Sequence, residues 1–111
     1  MIDSHSGRYE DFPNAPINWS LSTANAKAND LGIVMGPDHW EIIICLQEYF
    51  SRNEAPNRRE LNDALNEFWH AHGGLKALYR LFPGGPVAQG CTIAGIEVPP
   101  GTVDSSFGSV V

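Results

Sequence analysis

The sequence is short of residues that would staple it covalently or bind it to a polyanion. It holds two cysteines, Cys45 and Cys91, too few for a disulfide framework. Neither belongs to a CxxC pair. Of the four histidines, His70 and His72 stand two positions apart, so on a helix they point to different faces. No metal site and no cofactor are expected from these spacings. Cations are scarce: Lys plus Arg number 7 against 13 Asp plus Glu, a net charge of −6. A nonspecific nucleic-acid binder, or one for anionic membranes, needs the opposite balance. No apolar run approaches the ~20 residues of a membrane span. Residues 1–12 lack the basic and apolar regions of a signal peptide, so a cytoplasmic setting is expected. No Ser-His-Asp order, phosphate loop or paired carboxylate stands out, which argues against a stand-alone enzyme.

What is present is ordinary globular material. The chain has 111 residues, 42% hydrophobic and 18% charged, enough for one domain with its own core. A monomer is expected. Three parts follow from the punctuation: an irregular or hairpin-like segment over 1–18, a helical core over 19–94, and a C-terminal arm over 95–111. There are no internal repeats.

Four helical stretches and one short piece fill the core. Leu21, Ala24, Ala28 and Leu31 recur at spacings of three and four, with Ser20 as N-cap and Gly32 as stop. His39–Arg52 reads as a strong helix, apolar nearly all round, opened by an Asp38–Glu41 capping box. Arg58–His72 carries Leu61, Ala64, Leu65 and Phe68 on one side and ends at Gly73-Gly74. Leu75–Phe82 turns Leu75, Leu78, Leu81 and Phe82 inward. After Pro83-Gly84-Gly85-Pro86 a short helical piece runs from Val87 to Ala94. From Gly84 to Val111 there is no Lys or Arg, only Glu97 and Asp104, and few large apolar anchors. Such a segment has little to bury and is expected to be mobile at its end.

One thiol, Cys91, lies in this Gly/Pro-rich region. Around it, Leu81-Phe82-Pro83-Gly84-Gly85-Pro86, then Gly90-Cys91-Thr92-Ile93-Ala94-Gly95, resembles the signature of the DsrC/TusE sulfur-carrier family. That family includes the gamma subunit of dissimilatory sulfite reductase. Pro37-Asp38-His39-Trp40-Glu41-Ile42-Ile43 and Ala55-Pro56 with Arg59 and Leu61 are similar to two further blocks. The likeness covers most of 19–103. It implies a mostly helical fold with an N-terminal β-hairpin and a flexible C-terminal arm. It also implies a job: sulfur is carried as a persulfide, or presented to a sulfite reductase-like enzyme or a sulfur-transfer complex of tRNA thiolation.

The sequence departs from that pattern in three places. The family's penultimate arm cysteine, eleven positions after the upstream one, is here Thr102. A hydroxyl has no persulfide or disulfide chemistry, so the two-cysteine cycle is excluded at these positions. An extension, Asp104–Val111, follows. Lysines that family members place beside the upstream cysteine are Ala88 and Thr92 here, so no adjacent cation favours a Cys91 thiolate.

Cys91 is therefore the candidate persulfide or mixed-disulfide thiol, against the plainer reading that it packs on Ile93 and Leu81. Cys45 reads as a core thiol. Arg59, Arg80, Gly95, Pro99, Gly101 and Thr102 are the candidate partner-binding residues, and Arg58 reads as solvated. His39 and Trp40 read as a capping-region histidine and a core tryptophan, and His70 and His72 as the solvated end of the third helix. Three functions stand: a sulfur-relay protein using Cys91, a non-carrier paralogue that docks on sulfur-metabolism partners, and a helix-turn-helix-like DNA-binding regulator.

Overall fold

Capping chemistry sets where each helix begins. The computed structural model describes residues 11–100. Helix α1 spans Leu21–Asp30 and is capped as expected by Ser20. The Ser20 hydroxyl accepts the Thr23 amide at 3.1 Å, and Thr23 Oγ1 accepts the Ser20 amide at 3.0 Å. Past its end, Gly32 N–H reaches Asn29 O and Ile33 N–H reaches Ala28 O, so the stop also falls as expected.

Helix α2 spans Pro37–Arg52, two residues longer at its start than expected. Its cap is not the Asp38–Glu41 pair. Proline at the first helical position has no N–H to satisfy and a φ already set for the helix, so the start moves up to Gly36. The Gly36 amide donates to His39 Nδ1 at 3.1 Å, and Asp38 sits within the first turn.

Helix α3 spans Arg58–Phe68, with an Asn57–Glu60 capping box that periodicity did not reveal. It ends four residues before His72. Trp69 turns inward, 4% exposed, and His70–His72 continue as a 3-10 turn. His70 and His72 thus belong to this turn, and the His72 ring stacks on Trp69 with centroids 4.3 Å apart. Gly73 and Gly74, at φ +112 and +62, make the reversal that a side chain at either position would resist. Helix α4 follows over Gly74–Leu81 and helix α5 over Pro86–Ala94.

Asp11 is helical, residues 13–14 and 17–18 form turns, and no strand occurs among the described residues. The hairpin expectation therefore fails where it can be compared; its other half, residues 1–10, lies outside the described residues. Pro13 and Pro16 have no N–H for a ladder, and turn bonds from Ala15 N–H to Phe12 O and from Trp19 N–H to Pro16 O use the local groups.

α2 is the hub. Ile42, Ile43 and Leu46 are at most 1% exposed, and its polar side chains tie three other helices. His39 Nδ1 accepts from Gly36, so Nε2 carries the ring proton and donates to Leu81 O at the end of α4, 3.0 Å away. Gln47 Nε2 donates to Ala94 O at the end of α5 at 3.0 Å. Tyr49 Oη donates to Glu60 Oε2 of α3 at 2.7 Å. α5 packs on α2 and α1 and touches α3 and α4, so it runs through the middle of the domain.

Candidate functional site

Cys91 lies in α5 three residues before its end. Almost every side of this helix is covered: Pro86, Val87, Gly90, Cys91, Ile93 and Ala94 are all buried. Gly90 lets it seat closely, since a Cβ there would come within 2.7 Å of Leu46 Cδ1. The Cys91 side chain is 0% exposed, and burial alone pushes its thiol up to about 12. Ala88 and Thr92 sit half-buried on the same helix, and the Thr92 hydroxyl donates to Ala88 O at 2.9 Å. Cys45 is half-buried on α2. Burial, and then the Glu48 carboxylate, raise its thiol to about 11. Both cysteines are free thiols.

The helix leaves through a Schellman turn. Gly95 takes φ +77, Ile96 N–H returns to Cys91 O at 3.0 Å, and Gly95 N–H returns to Thr92 O at 3.3 Å. The carbonyl of Cys91 is thereby bonded to the first amides of the arm. Trp19 lies over this turn. Its Nε1–H donates to Ile93 O at 2.8 Å, and a Cβ on Gly95 would meet Trp19 Cδ1 at 2.9 Å. Phe12 tilts against Trp19 and meets Trp40 edge-on, with centroids at 4.8 and 5.8 Å. An open cleft of about 350 Å³ runs beside the turn, lined in part by Asn18, Trp19, Lys27, Thr92 and Gly95.

The other sequence-expected residues are spread out. Arg59 is exposed in the first turn of α3 and Arg80 is exposed in the last turn of α4, neither on α5 nor on the arm. Gly95 is exposed beside Trp19. Pro99 is buried, and Ile96 and Val98 pack against the core, so the arm stays on the body at least to Pro99. Gly101 and Thr102 lie outside the described residues.

Sequence reasoning missed Trp19 and Gln47, the two side chains that hold the end of α5. A signal existed for the second: Gln47 is a polar residue amid the apolar positions Ile43, Leu46 and Phe50 of α2, and the one polar residue among the fully buried side chains of that helix.

Among the described residues, no group of three or more His, Cys, Asp or Glu is placed to hold a metal, and no helix is long and apolar enough to cross a membrane.

Comparison with known proteins bears on the block around Cys91. The family described as DsrC like protein matches residues 7–103. Sulfurtransferase TusE of Shigella dysenteriae serotype 1 is 39% identical over 92 residues, covering 81% of this chain and 84% of that protein. The proteins of the same name from Escherichia coli strain K12 and Salmonella typhimurium strain LT2 are 37% and 36% identical over the same coverage. No solved structure gives a significant match. Nothing in these relatives favours a DNA-binding regulator. With the family match spanning nearly the whole chain and the relatives aligned over most of theirs, this chain belongs to the DsrC-like protein family.

Proposed function

We propose that this protein works in sulfur relay, as a carrier or accessory to a larger sulfur-handling protein, with Cys91 as the thiol that accepts sulfur. The observation that carries the reading is the position of Cys91 at the root of the arm, its carbonyl bonded to the Ile96 amide. That bond ties the backbone of Cys91 to the first residues of the arm. In the closed state the sulfur is fully buried, and that burial, which pushes its pKa up to about 12, disfavours the thiolate at pH 7. Chemistry therefore follows opening of the α5–arm junction, which hydrates the sulfur and returns it to the ordinary thiol range.

The step balances without an outside oxidant. The Cys91 thiolate attacks the terminal sulfur of a partner's cysteine persulfide. The partner's S–S bond breaks as the new one forms, and the partner cysteine leaves as a thiolate that takes up the proton. The relatives' name, sulfurtransferase, favours a sulfur-transfer complex over a sulfite reductase as that partner. Arg59, Arg80 and the arm residues Gly95, Pro99, Gly101 and Thr102 are the contacts we assign to docking. We place the protein in the cytoplasm, as a monomer that carries sulfur and does not turn over a substrate on its own.

A second reading, docking without sulfur transfer, draws on Thr102 at the arm position and on the full burial of Cys91. Intact mass after incubation with a persulfide donor separates the two, in a Cys45→Ser background. A gain of about 32 Da, one sulfur atom, lost on further Cys91→Ser substitution, supports the carrier. No gain on the folded protein leaves docking as the function.

A further inference from the structure

The last four carbonyls of an α-helix find no partner inside it. In α5 these belong to Cys91, Thr92, Ile93 and Ala94. The first two are closed by the chain's own turn, through the amides of Ile96 and Gly95. The last two are closed by side chains from elsewhere: Trp19 Nε1–H to Ile93 at 2.8 Å and Gln47 Nε2–H to Ala94 at 3.0 Å. Trp19 precedes α1 and Gln47 lies in mid-α2, so two separate elements grip one junction. Both donors are buried, 4% and 2% exposed.

Gln47 Oε1 is buried and finds no donor among the described residues. The amide is held by its Nε2–H bond, and losing that bond would leave the buried Ala94 carbonyl without a side-chain donor. When the junction opens, water takes the place of the two donors on the Ile93 and Ala94 carbonyls.

We propose that Trp19 and Gln47 form a two-point latch on the α5–arm junction, and that its release, short of unfolding the domain, uncovers the Cys91 sulfur. The inference rests on the reading of Cys91 as the sulfur-accepting thiol. It adds what controls access to it.

The test uses the full chain carrying Cys45→Ser and follows the reaction of Cys91 with an aromatic disulfide reagent in increasing urea. Local opening exposes little surface, so a latch gives a labelling rate nearly flat at low urea. Trp19→Phe keeps the ring and removes the donor. Gln47→Met keeps the length and removes the amide. Each is expected to speed labelling at low urea about fivefold, the worth of one ordinary hydrogen bond, while the rate stays nearly flat in urea. Labelling that tracks global unfolding, with the urea slope of the whole domain, overturns the latch even if neither variant folds. So does fast labelling that both variants leave unchanged. The persulfide-donor experiment fails separately: a Cys91 that labels through the latch yet gains no sulfur removes the carrier reading and leaves the latch standing.

Discussion

Helices α1 and α5 end in the same turn under opposite circumstances. In both a glycine follows the helix and the next amide reaches back, Ile33 N–H to Ala28 O at 2.9 Å and Ile96 N–H to Cys91 O at 3.0 Å. Around α1 the turn is open. Nothing lies within 4 Å of where a Cβ on Gly32 would sit, and of the residues whose carbonyls the turn leaves over, Asp30 is exposed and Leu31 half-buried. Solvent serves the remaining carbonyls there. Around α5 the last two residues, Ile93 and Ala94, are 1% and 0% exposed, so side chains must do what solvent does for α1. The turn itself is local. Whether its end is free or held is decided by what packs over it.

The sharpest way to break that comparison is to substitute the same residue at both ends. Gly32 and Gly95 share φ +77, so alanine meets the same backbone penalty at each, about 1 kcal/mol. Only at Gly95 does the new Cβ run into Trp19, at 2.9 Å. Gly95→Ala is expected to lose about 2–3 kcal/mol in urea unfolding and Gly32→Ala about 1 kcal/mol. Equal losses would mean that the Trp19 ring yields freely and that the end of α5 is no more tightly held than that of α1.

The end of α4 offers an intermediate case. Its Leu81 carbonyl takes one side-chain donor, His39 Nε2, while the other ring nitrogen serves Gly36 at the start of α2. The ring also meets Phe82 edge-on with centroids 5.2 Å apart. His39→Ala removes all three contacts, and a loss of about 2 kcal/mol is expected. Denaturant midpoints at pH 8 would measure it. A loss under about 0.5 kcal/mol would put the end of α4 with that of α1, served by water.

What was legible in the sequence divides along the same line. Ser20, Gly32 and the approximate courses of all five helices could be read because caps, stops and apolar spacing are local. The start of α2 was misplaced because Asp38 fits the usual cap rule, while Pro37 already occupies the first helical position and a histidine side chain fills the role expected of Glu41. The end of α3 was misplaced because the apolar period runs on through Trp69, which instead turns inward. The block around Cys91 was plain, and with it the family. Its burial was not. The Trp19–Ile93 and Gln47–Ala94 bonds span 74 and 47 positions, and no local spacing carries such pairs.

The smallest expected effect tests whether the junction stays closed as the solution becomes alkaline. Burial holds the Cys91 thiol at about 12 in the folded chain against an ordinary value of 9.0. The unfolded chain releases that proton first. Above pH 9 the folded state therefore binds more protons than the unfolded one, and stability falls as pH rises. The contribution is fully present below pH 9 and is lost progressively towards pH 12. By pH 10 the loss from this thiol comes to about 1 kcal/mol. Urea unfolding at pH 8 and pH 10, on Cys45→Ser with and without Cys91→Ala, isolates it. Tyr49, also raised by its bond to Glu60, contributes equally to both proteins and cancels. The alkaline loss is expected to be smaller by about 1 kcal/mol in the protein without Cys91. An equal loss in both would show that the sulfur ionises freely within the folded chain. The end of α5 would then already stand open to water at pH 10, as the end of α1 does at any pH.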